Sequence, residues 1–176
     1  MGSDMHITDI RLMYAYNDWA NTRVLEAASR LPEALYAAKS DHSFGSIHDT
    51  LFHMLNSEVV WRTILQHGAV AWPDLNPDEA PTLEALGAVW REEARRRTAY
   101  LDQLTDADVN AVVQYNMAGE PSRARVRWHI FWHVLNHAMQ HRSEVAHMLT
   151  QHGSSPGELD VMWFMPADGS DRVPGV

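Results

Sequence analysis

Apolar positions recur at helical spacing along four long stretches of this chain. From about Ile7 to Ser29, the positions Ile10, Met13, Tyr14, Asn17, Asn21, Val24 and Leu25 follow that spacing, and Pro32 stands just past the end. A second helix begins at Ser46, where "SIHD" has the form of a capping box with Asp49 in the place usually held by Glu or Gln. Ile47, Leu51, Met54, Leu55, Trp61 and Leu65 then form its apolar stripe. A third runs from about Thr82 to Leu104 on Leu83, Leu86, Trp90, Ala94, Leu101 and Leu104. The fourth, about Arg125 to His152, is apolar on nearly every side, which predicts neighbours around most of it; Gly153 supplies its stop.

The connecting segments have other textures. Residues 67–81, "HGAVAWPDLNPDEAP", carry three prolines and read as a loop or a mixture of turns. Between 109 and 127, the β-branched and aromatic "VNAVVQYNM", the turn-like "AGEP" and the alternating "RARVR" predict a short β-hairpin. The tail, 154–176, is expected to be irregular, with "SPGELDVMWFM" apolar enough to fold back over the helices or to cover a partner. Four such helices predict an all-α, four-helix bundle in one domain spanning 1–176, with residues 1–4 read as an appended leader. Trp19, Trp61, Trp90 and Trp132 are expected in the core.

Composition narrows the class. A chain of 176 residues can bury a sizeable core, and 45% hydrophobic with 21% charged residues is ordinary for a globular protein rather than a disordered one. There is no cysteine, which removes disulfides, thiolate ligands and cysteine nucleophiles together. A net charge of -9 argues against a nucleic-acid partner. The densest basic stretch, "REEARRR" at 91–97, interleaves Glu92 and Glu93 with Arg96 and Arg97, and predicts a solvated face stitched by ion pairs. No apolar run approaches a membrane span and no basic-then-apolar leader precedes the first helix, so residence in the cytoplasm is the expectation.

The candidate chemistry lies in the histidines. Four of the 11 stand at 129, 133, 137 and 141, one every fourth position of the fourth helix. Each residue of a helix turns by about 100°, so neighbouring rungs share a face while the outermost two are about 120° apart and cannot converge. At most two adjacent rungs can serve one ion. An H-x-x-x-H pair is a bidentate clamp for a divalent metal. His137 and His141 are the favoured pair because Glu144 shares their face. Glu144 can serve as a ligand, as an acceptor behind a ligand, or as an exposed helix acid. A third imidazole would come from the second helix. His48, in the first turn, is expected near solvent, whereas His53 lies on an arc that borders the apolar stripe and faces the interior or its edge. Rival signatures fail: only "EVAH" has the Glu-x-x-His form that a di-iron bundle needs twice, and H-E-x-x-H, P-loop and G-x-S-x-G patterns are absent.

Taken in order, "YAYNDWANTRVLEA", "SIHDTLFHMLNSEVVW", "HVLNHAMQHRSEVAHML" and "GSSPGELDVMWFM" resemble the DinB/YfiT-like superfamily of metal-dependent bundle proteins over nearly the whole chain. The resemblance implies up-down-down-up helices, a homodimer, and a divalent ion, nickel or zinc, held by one histidine of the second helix and the H-x-x-x-H pair of the fourth. The matching positions are His53, His137 and His141. The family usually carries Gly-Gln after the His-Arg pair; this chain has Ser143 and Glu144. His133 matches a histidine frequent in the family and is expected in the core or as a hydrogen-bonded support. Relatives include thiol-dependent transferases and an isomerase. The resemblance therefore implies a metal-dependent enzyme acting on a small molecule, a low-molecular-weight thiol among its substrates, with a non-catalytic metal-binding dimer as the alternative.

Overall fold

The computed structural model describes residues 4–42, 44–69, 75–117 and 121–166. Four long helices pack together: α1 (Ile7–Ala28), α3 (Ile47–His67), α4 (Leu83–Leu101) and α6 (Arg127–Gln151). Between and after them lie the short helices α2 (Glu33–Tyr36), α5 (Asp106–Asn110) and α7 (Val161–Phe164), a 3-10 turn at Pro77–Glu79, and a two-stranded hairpin. Strand β1 (Val112–Tyr115) pairs antiparallel with β2 (Arg123–Val126), with Val112 opposite Val126 and Tyr115 opposite Arg123.

Contacts fix the directions. Tyr14 meets Phe131 and Ala27 meets Ser154, so α6 runs with α1. His53 meets His137 and Trp61 meets His133, so α6 runs against α3. Arg11 reaches Leu101 and Asp18 reaches Arg97, so α4 runs against α1. The order is up-down-down-up. Each long helix packs chiefly against two others, α6 lying beside α1 and α3 and across from α4.

Local chemistry accounts for the ends. The Ser46 hydroxyl accepts from the Asp49 amide at 2.9 Å and caps α3; the Thr82 hydroxyl does the same for α4 at 3.2 Å from the Ala85 amide. α3 stops at Gly68, whose φ of +74° is the left-handed conformation of a helix C-terminus. Two apolar clusters fill the interior. One gathers Val24, Leu51, Leu55, Leu86 and Leu149; the other gathers Ile10, Tyr14, Ile64, Leu101 and Phe131.

Several expectations are corrected. The helix α6 was to be enclosed on most sides, yet Trp132 is 51% and Met139 49% exposed. In a ring of four helices each has only two neighbours, so an outward face stays open whatever its composition. Of the four tryptophans assigned to the core, only Trp90 is buried; Trp19 and Trp61 are half-buried. The stretch 91–97 is half surface and half interior. Glu92 and Arg96 form the expected exposed pair, but Glu93 turns inward to Arg62, and Arg97 turns inward to Glu58 and Asp18. One residue of rotation, about 100°, separates the two edges. Residues Val109 and Asn110 belong to α5 rather than to the hairpin, α4 ends three residues early, and α6 starts at Arg127. The tail does fold back: the Tyr16 hydroxyl donates to the Leu159 carbonyl at 2.7 Å, and Phe164 packs against Tyr16 and Trp19. Residues 70–74 of the proline-rich loop, the leader 1–3 and the end of the tail, 167–176, lie outside the described residues.

Candidate metal centre

His53, His137 and His141 come together where α3 passes α6, with one ligand-capable atom from each within 4.8 Å of the others. The rings of His137 and His141 are 4.5 Å apart, and each is 4.8 Å from that of His53. The Nε2 atoms of His53 and His137 stand 2.9 Å apart, a contact that holds with a proton on one nitrogen and a lone pair on the other. A tetrahedral ion bonded at about 2.0–2.1 Å would want its nitrogens roughly 3.3 Å from one another. The observed separations bracket that value, so small ring rotations would let all three imidazoles share one cation. Among the described residues this is the one cluster of three or more histidine or acidic side chains arranged so.

Glu144 lies beside the triad, against His141. Its Oε2 lies 2.7 Å from His141 Nδ1, and a carboxylate there selects the Nδ1–H tautomer and leaves Nε2 with a lone pair. That contact matches the acceptor role among the three expected of it. Burial lowers the pKa of His53, with the neighbouring His141 adding to the effect. Burial, followed by the three nearby imidazoles, pushes His137 down to about 4. Both are neutral at physiological pH, the form a metal requires.

Sequence reasoning missed Phe44. The turn before α3, reversed at Gly45 with φ +90°, lays the Phe44 ring flat on that of His53 at 3.8 Å and edge-on to His141 at 5.3 Å. Phe44 remains 46% exposed, so its outer face forms part of the surface around the triad. A residue in a turn belongs to no periodic stripe, and nothing in the pattern announced it.

The other histidines separate. His133 is exposed and sits edge-on to Trp61 at 5.1 Å, one ring from His137 at 5.9 Å; it is neither core nor a hydrogen-bonded support. His129 is exposed beside Trp128. His48 is buried, against expectation. Its Nε2 donates to the Ala80 carbonyl at 3.0 Å and its Nδ1 lies 2.9 Å from Asp49, because the chain before α4 crosses the first turn of α3.

Glu58 points away from the triad, as its spacing from His53 requires, into a second unforeseen feature. Its Oε2 accepts from Arg97 at 2.8 Å, and its Oε1 accepts from the Asn17 and Asn21 amides at 3.1 and 3.4 Å. Arg142 donates to the oxygens of the same two asparagines at 2.8 and 2.9 Å. This buried layer ties all four long helices together.

A cavity of about 820 Å³ lies among α1, α2 and α4 and includes none of the triad. A smaller groove of about 340 Å³ includes His133, whose ring is 5.9 Å from that of His137. No helix among the described residues is long and apolar enough to cross a membrane.

A family model described as the DinB family matches residues 2–172. The crystal structure of a conserved protein from Enterococcus faecalis has the same fold, with a TM-score of 0.60 at 16% identity over 79% of this chain and 94% of that one. No curated protein matches the sequence.

Proposed function

We propose that this chain, which belongs to the DinB family, binds a divalent ion through His53, His137 and His141 and is a metal-dependent enzyme acting on a small molecule. Thiol transfer is the reaction class we favour, ahead of hydrolysis or isomerisation. The observation that carries the reading is the meeting of three imidazoles from two helices, with a carboxylate orienting one of them. Three neutral imidazoles leave at least one coordination position for a substrate, which distinguishes a catalytic site from a closed structural one. Zinc and nickel suit such a donor set. Once bound, the ion would supply Lewis acidity, stabilising a thiolate or polarising a carbonyl. His53, His137 and His141 hold it, Glu144 keeps His141 in the binding tautomer, and Phe44 shields the face of His53 from water. The family resemblance supports a homodimer in the cytoplasm.

A second reading, a non-catalytic metal-binding dimer, draws on the outward apolar side chains Trp132, Met139, Met162 and Trp163, which a partner could cover. Metal analysis of protein purified without nickel resin, followed by thiol-transfer assays with and without chelator, separates the two. The enzyme reading expects about one ion per chain, activity lost with chelator, and metal lost in His53→Ala, His137→Ala and His141→Ala. Full metal content in all three variants would overturn the ligand assignment. Bound metal without any chelator-sensitive transfer, hydrolysis or isomerisation would favour the binding protein.

A further inference from the structure

The cavity of about 820 Å³ among α1, α2 and α4 has Leu25, Leu31, Leu83, Tyr36 and Trp90 in its walls, and its lining sets four carboxylates against one guanidinium, that of Arg91. Because α4 runs against α1 and only residues 29–32 separate α1 from α2, the end of α1 and the beginnings of α2 and α4 meet at one end of the bundle. Glu26 in the last turn of α1, Glu33 at the start of α2 and Glu84 in the first turn of α4 all stand there, and all are exposed. The fourth carboxylate, Asp18, is already held by Arg97. None of the other three has an ion-pair partner among the described residues. Glu84 offsets the positive end of α4, but Glu26 opposes the dipole of α1, so helix chemistry does not account for it.

The walls also keep polar groups and space uncommitted. Tyr36 is 3% and Trp90 4% exposed, yet neither the hydroxyl of one nor the indole N–H of the other has a hydrogen-bond partner among the described residues. Buried groups of this kind rarely go unpaired. Gly87 lines the same cavity from the interior of α4, where glycine is an unfavourable choice. A Cβ there would approach only the Nη1 end of the flexible Arg91 side chain, at 3.4 Å.

We propose that this cavity seats a small organic cation with a flat apolar body, the body against Tyr36 and Trp90 and the ammonium group at Glu26, Glu33 and Glu84. Aromatic walls favour a flat partner, and their rings attract a cation as the carboxylates do. The volume lies within the range of small-molecule sites. No histidine of the triad lines the cavity, so the site does not rest on the metal-centre reading.

The test is calorimetric titration of the full chain with tryptamine, neutral tryptophol and anionic indole-3-acetate, which share one ring system. Tryptamine is expected to bind about tenfold more tightly than tryptophol, with indole-3-acetate weakest, and added salt should narrow the spread. Glu26→Gln/Glu33→Gln/Glu84→Gln should bring the amine close to the alcohol while leaving the alcohol's own affinity unchanged. Gly87→Leu should abolish binding of both without lowering the melting temperature, since leucine is the better helix former and extends into the cavity. His137→Ala should keep the preference for the amine; its loss there would place the amine on an ion at the triad instead and overturn the proposal. So would equal affinity for amine and alcohol in the wild type, a preference that survives the triple glutamine variant, or undiminished binding in folded Gly87→Leu.

Discussion

Replacing Arg97 with methionine tests the buried polar layer most directly. Arg97 and Glu58 are each 3% exposed. Arg97 donates to Glu58 at 2.8 Å and to Asp18 at 2.5 Å, and its guanidinium lies 4.6 Å from the centre of the Tyr14 ring. Methionine fills much of the same volume but leaves the Glu58 carboxylate buried with only two asparagine amides. Breaking a buried pair in this way costs about 3–5 kcal/mol, because one charge is left uncompensated. For a protein of this length each kcal/mol moves the melting temperature by about 2–4 °C, so the variant should melt roughly 6–20 °C lower.

The pH dependence sharpens the test. Burial raises the pKa of Glu58 and Arg97 pulls it back. Without the arginine that upward push is opposed only by the Asn17 hydrogen bond, so the native variant keeps a proton that the unfolded chain releases above about pH 4.3. A group whose pKa is raised on folding loses its stabilising contribution as pH rises. The deficit of Arg97→Met relative to wild type should therefore be larger near pH 8 than near pH 5, and adding Glu58→Gln should flatten it. Thermal melts across that range would read both effects. A melting temperature within about 2 °C of wild type throughout, or a deficit that does not change with pH, would refute the argument.

Two further outcomes follow from single groups. His137 titrates near 4 in the folded chain, against an ordinary value of 6.5, so below 6.5 the unfolded chain binds the proton first. Stability of the chelator-stripped protein should fall as pH drops from about 6.5 toward 4, and urea midpoints should show a shallower decline in His137→Ala. Gly68→Ala should cost about 1–2 kcal/mol in urea unfolding, since a left-handed φ of +74° is strained for any residue with a Cβ, and that Cβ would stand 3.4 Å from the Gln114 carbonyl.

The sequence made the long helices legible because their apolar positions repeat over many turns, and the Ser46 cap could be read directly. The hairpin was visible in the alternation around Val112 and Arg125. The short α5 was missed although "TDAD" carries its signal: the Thr105 hydroxyl accepts from the Asp108 amide and the Asp108 carboxylate accepts from the Thr105 amide. The histidine ladder showed that only two rungs could meet at one ion, but the arithmetic of a single helix cannot say what lies opposite. The partner position, His53, was suggested by its arc beside the apolar stripe of the second helix, and the resemblance matched the same residue. Glu58, Arg97 and Arg142 were illegible for the same reason. A charge on one helix reads as surface until the matching charges on three others are brought to it, and only the packing does that.

The position of that layer explains how the candidate centre could be held in place. On α6, Arg142 follows His141 directly, turned by about 100°. Arg142 reaches Asn17 and Asn21 of α1 and is buried there, while His141 faces α3 and His53. One turn of helix is thus fixed by charged hydrogen bonds on one side and presents ligand nitrogens on the other. Glu58, five residues along α3 from His53, closes the same network from the opposing helix. The two backbones that carry the imidazoles are then held in register by groups that touch no imidazole. The fold itself thus keeps the three ring nitrogens near one another, which is the preorganisation that a site with an open coordination position needs. An apolar layer in the same place would fill the space without fixing the slide of α6 along α3, and a slide of one residue, about 1.5 Å, would be enough to spoil the convergence of the three rings.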